Sequence, residues 1–173
     1  MQPGFDLRIK AMNRAMKEVV LPAIGVGNST AVEQASIIMA TLEMMRDQID
    51  HAHWFEVEDL LSLCDFAQIL AAAAGLPPDS ALCQAAADAK PLTARHDLTL
   101  STLKTANGKL RDAICTFIDE VFDRDDAALQ TAVQEIILTR SEKDIGRERA
   151  YVAKANWDVF PESLKPLHEA LAG

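Results

Sequence analysis

Residues 98–122 read LTLSTLKTANGKLRDAICTFIDEVF, and this stretch carries the most regular hydrophobic pattern in the chain. Its apolar side chains recur three, four or seven residues apart, at Leu100, Leu103, Leu110, Ile114, Phe117 and Val121. Such spacing places them on one stripe of an α-helix, which must be buried against another helix. We therefore predict a long helix from Leu98 to Phe122, continuous through the Asn107-Gly108 pair.

The same helical spacing recurs through most of the sequence, as in Phe5, Ile9, Met12, Met16 and Val19. Alternating apolar and polar residues, which are typical of strands, are almost absent. We predict an all-α, up-and-down bundle of about five to seven helices, forming one domain over residues 1–173. The further helices are expected at about 5–21, 30–74, 80–90, 127–156 and 161–171.

Two helix boundaries depend on local signals. Leu21-Pro22 and the glycines that follow are expected to end the first helix, and Asn28, Ser29 or Thr30 can cap the next one. Residues 30–74 fit either one unusually long helix or two helices. We favour two, with the break within His53-Trp54-Phe55-Glu56-Val57.

The charge balance excludes some partners. The chain has 26 acidic against 17 basic residues, a net charge of −9, and no dense basic run. An acidic surface repels phosphate backbones and anionic lipids, so we expect no nucleic-acid or membrane binding. The most apolar stretch, Leu60 to Leu76, is interrupted by Asp65 and Gln68 and is too short to span a bilayer. The first ten residues do not resemble a signal peptide, and a cytoplasmic location is predicted.

The three cysteines, Cys64, Cys83 and Cys115, are widely separated and form no CxxC motif. This spacing argues against a zinc knuckle or a redox pair. We interpret all three as small buried hydrophobic residues in a reducing compartment.

The segment Val19-Val20-Leu21-Pro22-Ala23, followed by Asn28 and Glu33-Gln34-Ala35, resembles small uncharacterised bacterial helical proteins. The resemblance covers the first quarter of the chain. It implies a helical fold and brings no activity, substrate or site residue.

A first candidate site is formed by Glu43, Asp47 and His51, which follow one another at four-residue steps. On one helix face they would present two carboxylates and an imidazole, the ligand types of di-iron and di-manganese bundles. Those centres use Glu-x-x-His motifs, however, and no histidine of this chain follows a glutamate by three residues. We favour a solvated face and predict no metal, no other cofactor and no catalytic residue.

A second candidate is a basic strip near the carboxyl end. One helical stripe would contain Arg140, Lys143 or Asp144, Arg147, Tyr151 and Lys154. Arginine could hold a phosphate or carboxylate, or the strip could pair with Glu43, Asp47 and Asp50. Exposed ion pairs one turn apart are the simpler interpretation.

Asn107 is a third candidate because it lies between Leu103 and Leu110, where an apolar residue is expected. A buried amide must be hydrogen-bonded, so Asn107 could fix the register of two helices or face a pocket. Alternatively, Asn107 and Gly108 mark a break in the helix.

The pairs Trp54 with Phe55, and Trp157 with Phe160, stand out in a chain that is 5% aromatic. Adjacent aromatic residues on a helix point in different directions, so one of each pair is a candidate for an interface. Core packing against a neighbouring loop is the interpretation that we favour for these aromatic residues. We place a homodimer interface at Trp54 and Phe55.

Three functions remain open from the sequence. We favour a non-enzymatic module that binds a second copy or another protein partner. The alternatives are a small-anion or small-molecule binding protein with a pocket between helices, and, less favoured, a ferritin-like metal-dependent enzyme.

Overall fold

The computed structural model describes residues 4–25, 27–155 and 158–171, and these are helical with connecting turns, without a strand. The all-α prediction is confirmed. Within these ranges six helices have nine or more residues, in line with the predicted five to seven. The α-helices are α1 (Phe5–Ala15), α2 (Leu21–Ile24), α3 (Ser29–Gln48), α4 (Ala52–Ala73), α5 (Ala81–Ala89), α6 (Leu100–Phe122), α7 (Ala127–Tyr151) and α8 (Leu167–Leu171).

The chain divides into two compact units. One comprises Met1–His51 with Gly146–Gly173, and the other comprises Ala52–Ile145, so that the boundary falls within α7. The single-domain arrangement expected from the sequence stays a prediction. Along the described ranges, no helix is both long and apolar enough to cross a membrane.

The unit Ala52–Ile145 is built on mutual packing of α4, α5 and α6. Side-chain caps fix where two of these helices begin: Ser80 accepts a hydrogen bond from the Cys83 amide, and Thr99 accepts one from the Thr102 amide. The predicted stripe of α6 is buried from Leu103 to Val121, and Leu100 is half-buried. The largest fully buried side chains of this core are Leu60, Leu70, Leu103, Leu110, Val121, Val133 and Cys64. Burying one such side chain contributes about 1.5–3 kcal/mol.

The unit that contains the chain ends is built on α1 packed against α3. Asn28 caps α3 by accepting a hydrogen bond from the Ala31 amide at 3.2 Å. At the other end of α3, the Gln48 side-chain amide donates to the main-chain oxygen of Tyr151 at 2.8 Å. This contact and the packing of α3 against the 3₁₀ turn Ala153–Ala155 hold the end of α7 within this unit.

The first helical segment passes through Leu21-Pro22, contrary to our prediction, and ends at Gly25, one of the glycines that we expected to end it. Helical backbone continues through a π-helical turn, Met16–Val20, into α2. Pro22 lies just after the π-helical turn, which departs from the regular i→i−4 hydrogen-bond pattern that a proline would interrupt. Gly25, with a φ of 72°, then ends the helix in the left-handed region that glycine adopts easily.

The break between α3 and α4 lies at residues 49–51, a few residues before the predicted position. Two helices are present as we favoured. The turn is formed by Ile49, Asp50 and His51, while Trp54 and Phe55 are accommodated inside α4. At the other end of the chain, α7 ends at Tyr151 instead of reaching residue 156.

The cysteines differ from one another. Cys64 is buried and Cys83 is half-buried, but Cys115 is exposed, so the prediction of three buried cysteines is wrong for Cys115. It lies on α6 next to the stripe position Ile114 and points away from the core. Burial raises the pKa of the Cys64 thiol, and the neighbouring carboxylate of Asp65 raises it further.

Candidate interaction site

A groove of about 550 Å³ lies between α4 and α7 in the unit Ala52–Ile145. Helix α4 contributes two side chains to its walls and α7 contributes the remainder. The lining residues are Phe66, Ile69, Ala132, Glu135, Ile136, Thr139, Arg140, Lys143 and Asp144. The α7 part of the lining spans twelve residue steps, about 18 Å of helix. This length would accommodate about three helical turns of a partner.

Arg140 is the best-held side chain of the groove. Its Nε donates to Asp144 Oδ2 at 2.9 Å, and its Nη2 donates to the hydroxyl of Ser62 at 2.6 Å. The guanidinium carbon lies 4.8 Å from the centre of the Phe66 ring, within the range of a cation–π contact. Only 15% of the side chain is exposed. Arg140 is therefore fixed before any partner binds.

Exposed apolar side chains occur on both helices. Ile69 on α4 lines the groove and is 52% exposed, while Leu138 on α7 is 64% exposed. Leu138 does not line the groove, since it lies about 100° around the helix from its neighbour Thr139. An exposed apolar group beside a concave apolar wall is typical of a protein contact surface.

Two opposite charges lie on α7 at equal distances from Thr139. Glu135 precedes Thr139 by four residues and Lys143 follows it by four, and both are exposed. The two are about 12 Å apart along the helix axis, too far to pair with each other. Within the described residues, neither forms an ion pair. A helix with the same sequence that ran in the opposite direction would place a lysine opposite Glu135 and a glutamate opposite Lys143.

The first predicted candidate set is not brought together as one helix face, because α3 ends at Gln48, before His51. Glu43 instead accepts a hydrogen bond from Asn13 Nδ2 at 2.7 Å and pairs with Arg46 at 2.6 Å. Asp47 is half-buried, as is His51 in the turn after α3. Across the described ranges, no group of three or more His, Cys, Asp or Glu side chains is arranged to hold a metal ion.

The residues of the predicted basic strip do not share one exposed helix face. Arg140 pairs with Asp144 one turn away, as an i,i+4 interpretation expects, but the pair is largely enclosed instead of exposed. Arg147 is buried, which contradicts the exposed ion-pair interpretation. Lys154 lies beyond α7 in the 3₁₀ turn Ala153–Ala155, so it does not continue the helical stripe.

Asn107 is buried within an unbroken α6, so the interpretation as a helix break is wrong. Its amide nitrogen donates to the main-chain oxygen of Glu56 at 3.1 Å and to the Glu56 carboxylate at 2.8 Å. One turn further along α6, Arg111 pairs with the buried carboxylate of Asp59. We did not predict this pair from the sequence. The available signal was Asp59, a carboxylate four residues after Phe55 and four before Leu63 on an apolar stripe.

The two adjacent aromatic residues on α4 differ in burial, because neighbouring residues on a helix point in different directions. Phe55 is buried, whereas Trp54 is 37% exposed and donates from its indole nitrogen to Glu58 at 3.2 Å. Trp54 is therefore the member of the pair that remains accessible to an interface. In the second pair, Phe160 is exposed, and Trp157 lies outside the described residues.

No family model, curated protein or solved structure matches this chain. The resemblance to small bacterial helical proteins stays a prediction. The fold and the groove define an all-α protein with a partly apolar, charge-patterned surface between two helices.

Proposed function

We propose that this protein is a non-enzymatic interaction module that works as a homodimer, with the α4–α7 groove as its interface. The observation that carries the proposal is the symmetric placement of Glu135 and Lys143 about Thr139, beside the exposed groove residue Ile69. Homodimer interfaces are self-complementary, since the same surface is used on both subunits.

The proposed arrangement is antiparallel packing of α7 against α7 of a second copy, with the two-fold axis near Thr139. Glu135 of each copy then lies opposite Lys143 of the other, which gives two equivalent ion pairs. The small side chain of Thr139 permits close approach at the axis. Ile69 and the apolar groove wall formed by Phe66, Ala132 and Ile136 lose contact with water, and this burial supplies the main driving force.

Arg140 supports this use of the groove. Its position is fixed by Asp144, Ser62 and Phe66 in the single chain, so little side-chain freedom would be lost on association. A pre-organised arginine at an interface rim can donate its remaining N–H groups to a partner.

The acidic surface of the chain supports a protein partner over nucleic acid or a membrane. A cytoplasmic location remains part of the proposal. The small-anion alternative is favoured by a different cavity, which lies in the other unit.

The proposal is tested by sedimentation velocity at micromolar concentration. We expect a dimer of the wild type and a monomer of Ile69→Glu, which places a charge in the groove. Ile38→Glu is the matched control, since Ile38 is 49% exposed on α3, outside the groove. A monomeric wild type overturns the proposal. A dimer that survives Ile69→Glu but is weakened by Trp54→Ala places the interface at Trp54 instead.

A further inference from the structure

A second cavity, of about 580 Å³, lies in the unit that contains the chain ends. It is bounded by α1 and the π-helical turn on one side, by α3 on another, and by the 3₁₀ turn Ala153–Ala155. Its lining residues are Asn13, Arg14, Lys17, Glu18, Ser36, Met39, Ala40, Glu43 and Lys154. The volume suits a small organic ligand.

The two carboxylates that line this cavity, Glu18 and Glu43, each already pair with an arginine. Arg14 Nε donates to the two oxygens of Glu18 at 3.0 and 2.9 Å. Glu43 is held by Asn13 at 2.7 Å and by Arg46 at 2.6 Å. The acidic groups therefore add little negative potential to the space that they line.

Lys17 and Lys154 are the remaining charges of the lining. Neither forms an ion pair within the residues that the structure describes. They come from opposite ends of the sequence: Lys17 from the π-helical turn, and Lys154 from a turn packed against α3. On a chain with a net charge of −9, two such ammonium groups on one cavity form a local positive site.

We infer that this cavity binds a small phosphate monoester through Lys17 and Lys154. At pH 7 such a group carries a charge of about −1.5 to −2, which two lysines match, whereas a carboxylate carries −1. Each ammonium group supplies three hydrogen-bond donors to the phosphate oxygens. Met39 and Ala40 provide an apolar wall for the organic part of the ester, and methionine adapts to varied shapes. This inference is independent of the homodimer.

Isothermal titration calorimetry with phenyl phosphate tests the inference. We expect saturable binding of one phenyl phosphate per chain, and weaker binding of benzoate, which has a similar ring but only one charge. Raising the salt concentration should weaken binding, since the cavity is open to solvent.

Variants locate the site. Lys17→Gln and Lys154→Gln are each expected to weaken phenyl phosphate binding by about tenfold or more, and the double variant should abolish it. Lys10→Gln is the matched control, because Lys10 lies on α1 and already pairs with Asp6 at 2.7 Å. Circular dichroism verifies that each variant is folded.

Three outcomes overturn the inference. They are no saturable binding at millimolar phenyl phosphate, equal binding by the double variant, and equal or tighter binding of benzoate. The last result would identify a carboxylate site in place of a phosphate site.

Discussion

Asn107 on α6 holds Glu56 on α4 at two points, since its amide nitrogen donates both to the main-chain oxygen and to the carboxylate of Glu56. These bonds fix the orientation of the amide, because a flipped amide would turn its oxygen toward a carboxylate. The amide oxygen is buried and has no hydrogen-bond partner within the described structure. Asn107 therefore ties α4 to α6 at one register while leaving one acceptor unsatisfied.

Replacing Asn107 with alanine is expected to lower the free energy of unfolding by about 1–3 kcal/mol, because Glu56 loses its buried donor. Asn107→Asp should cost more at pH 7, since it places a second carboxylate beside that of Glu56. Part of that extra cost should disappear as the pH falls and the pair takes up a proton. Chemical denaturation measures each effect.

The control for these variants is Thr116→Ala, an exposed position on the same helix, which should change stability by no more than about 0.5 kcal/mol. Unchanged stability of Asn107→Ala would contradict the role assigned to its two hydrogen bonds.

The pair of Arg111 and Asp59 provides a second stability test. One guanidinium nitrogen of Arg111 lies 2.9 and 2.8 Å from the two Asp59 oxygens, and the Asp59 side chain is 4% exposed. Arg111→Ala would remove this charge partner from a buried carboxylate, and we expect a loss of about 2 kcal/mol. Arg111 is half-exposed, which keeps the expected loss below that of a fully buried pair.

Arg124→Ala is the matched comparison, because Arg124 pairs with Glu120 at 3.6 Å on the exposed surface. We expect that substitution to cost less than about 1 kcal/mol. Equal losses in the two arginine variants, measured by urea unfolding, would mean that burial of Asp59 adds nothing to the Arg111 pair.

The sequence predicted those parts of the fold and site that depend on one helix. The α6 stripe has one interruption, Asn107, and that interruption identified a buried polar residue before any partner was known. The partner itself could not be predicted, because Glu56 reaches Asn107 only through the way α4 packs against α6.

The groove between α4 and α7 could not be predicted from the sequence for the same reason. Ile69 is one of many apolar residues on α4, and its exposure depends on which neighbours cover that helix. The pattern of Glu135 and Lys143 is visible in the sequence, but it becomes meaningful only when both side chains are found exposed and without an ion pair within the described residues. The buried position of Arg147 likewise depends on tertiary packing.

Asp158 is expected to show a distinct pH response. The pKa of its carboxyl lies at about 2, because Arg149 donates two hydrogen bonds to it at 2.7 Å and the Phe160 amide donates a third. The lowered pKa favours the charged form in the folded chain. The stabilising contribution is therefore present above the ordinary value of about 3.9, and it is lost as the pH falls toward 2.

A carboxyl-detected NMR titration of Asp158 measures this pKa directly. Arg149→Gln should raise the pKa toward the ordinary value, whereas Arg149→Lys, which keeps the charge without the two-pronged contact, should give an intermediate value. Identical titration midpoints in the wild type and Arg149→Gln would refute the assigned cause.

The central claim, antiparallel pairing of two α7 helices, is most directly tested by sedimentation velocity of Glu135→Lys and Lys143→Glu, alone and mixed in equal amounts. Each variant alone should be mainly monomeric, because both of its cross-interface pairs become like-charged. The mixture should form a heterodimer, because the first variant presents two positive charges and the second presents two negative charges at the facing positions. Asp112→Lys, an exposed charge reversal on α6, should leave the wild-type dimer intact. Single variants that dimerise like the wild type, or a mixture that stays monomeric, would contradict the proposed interface.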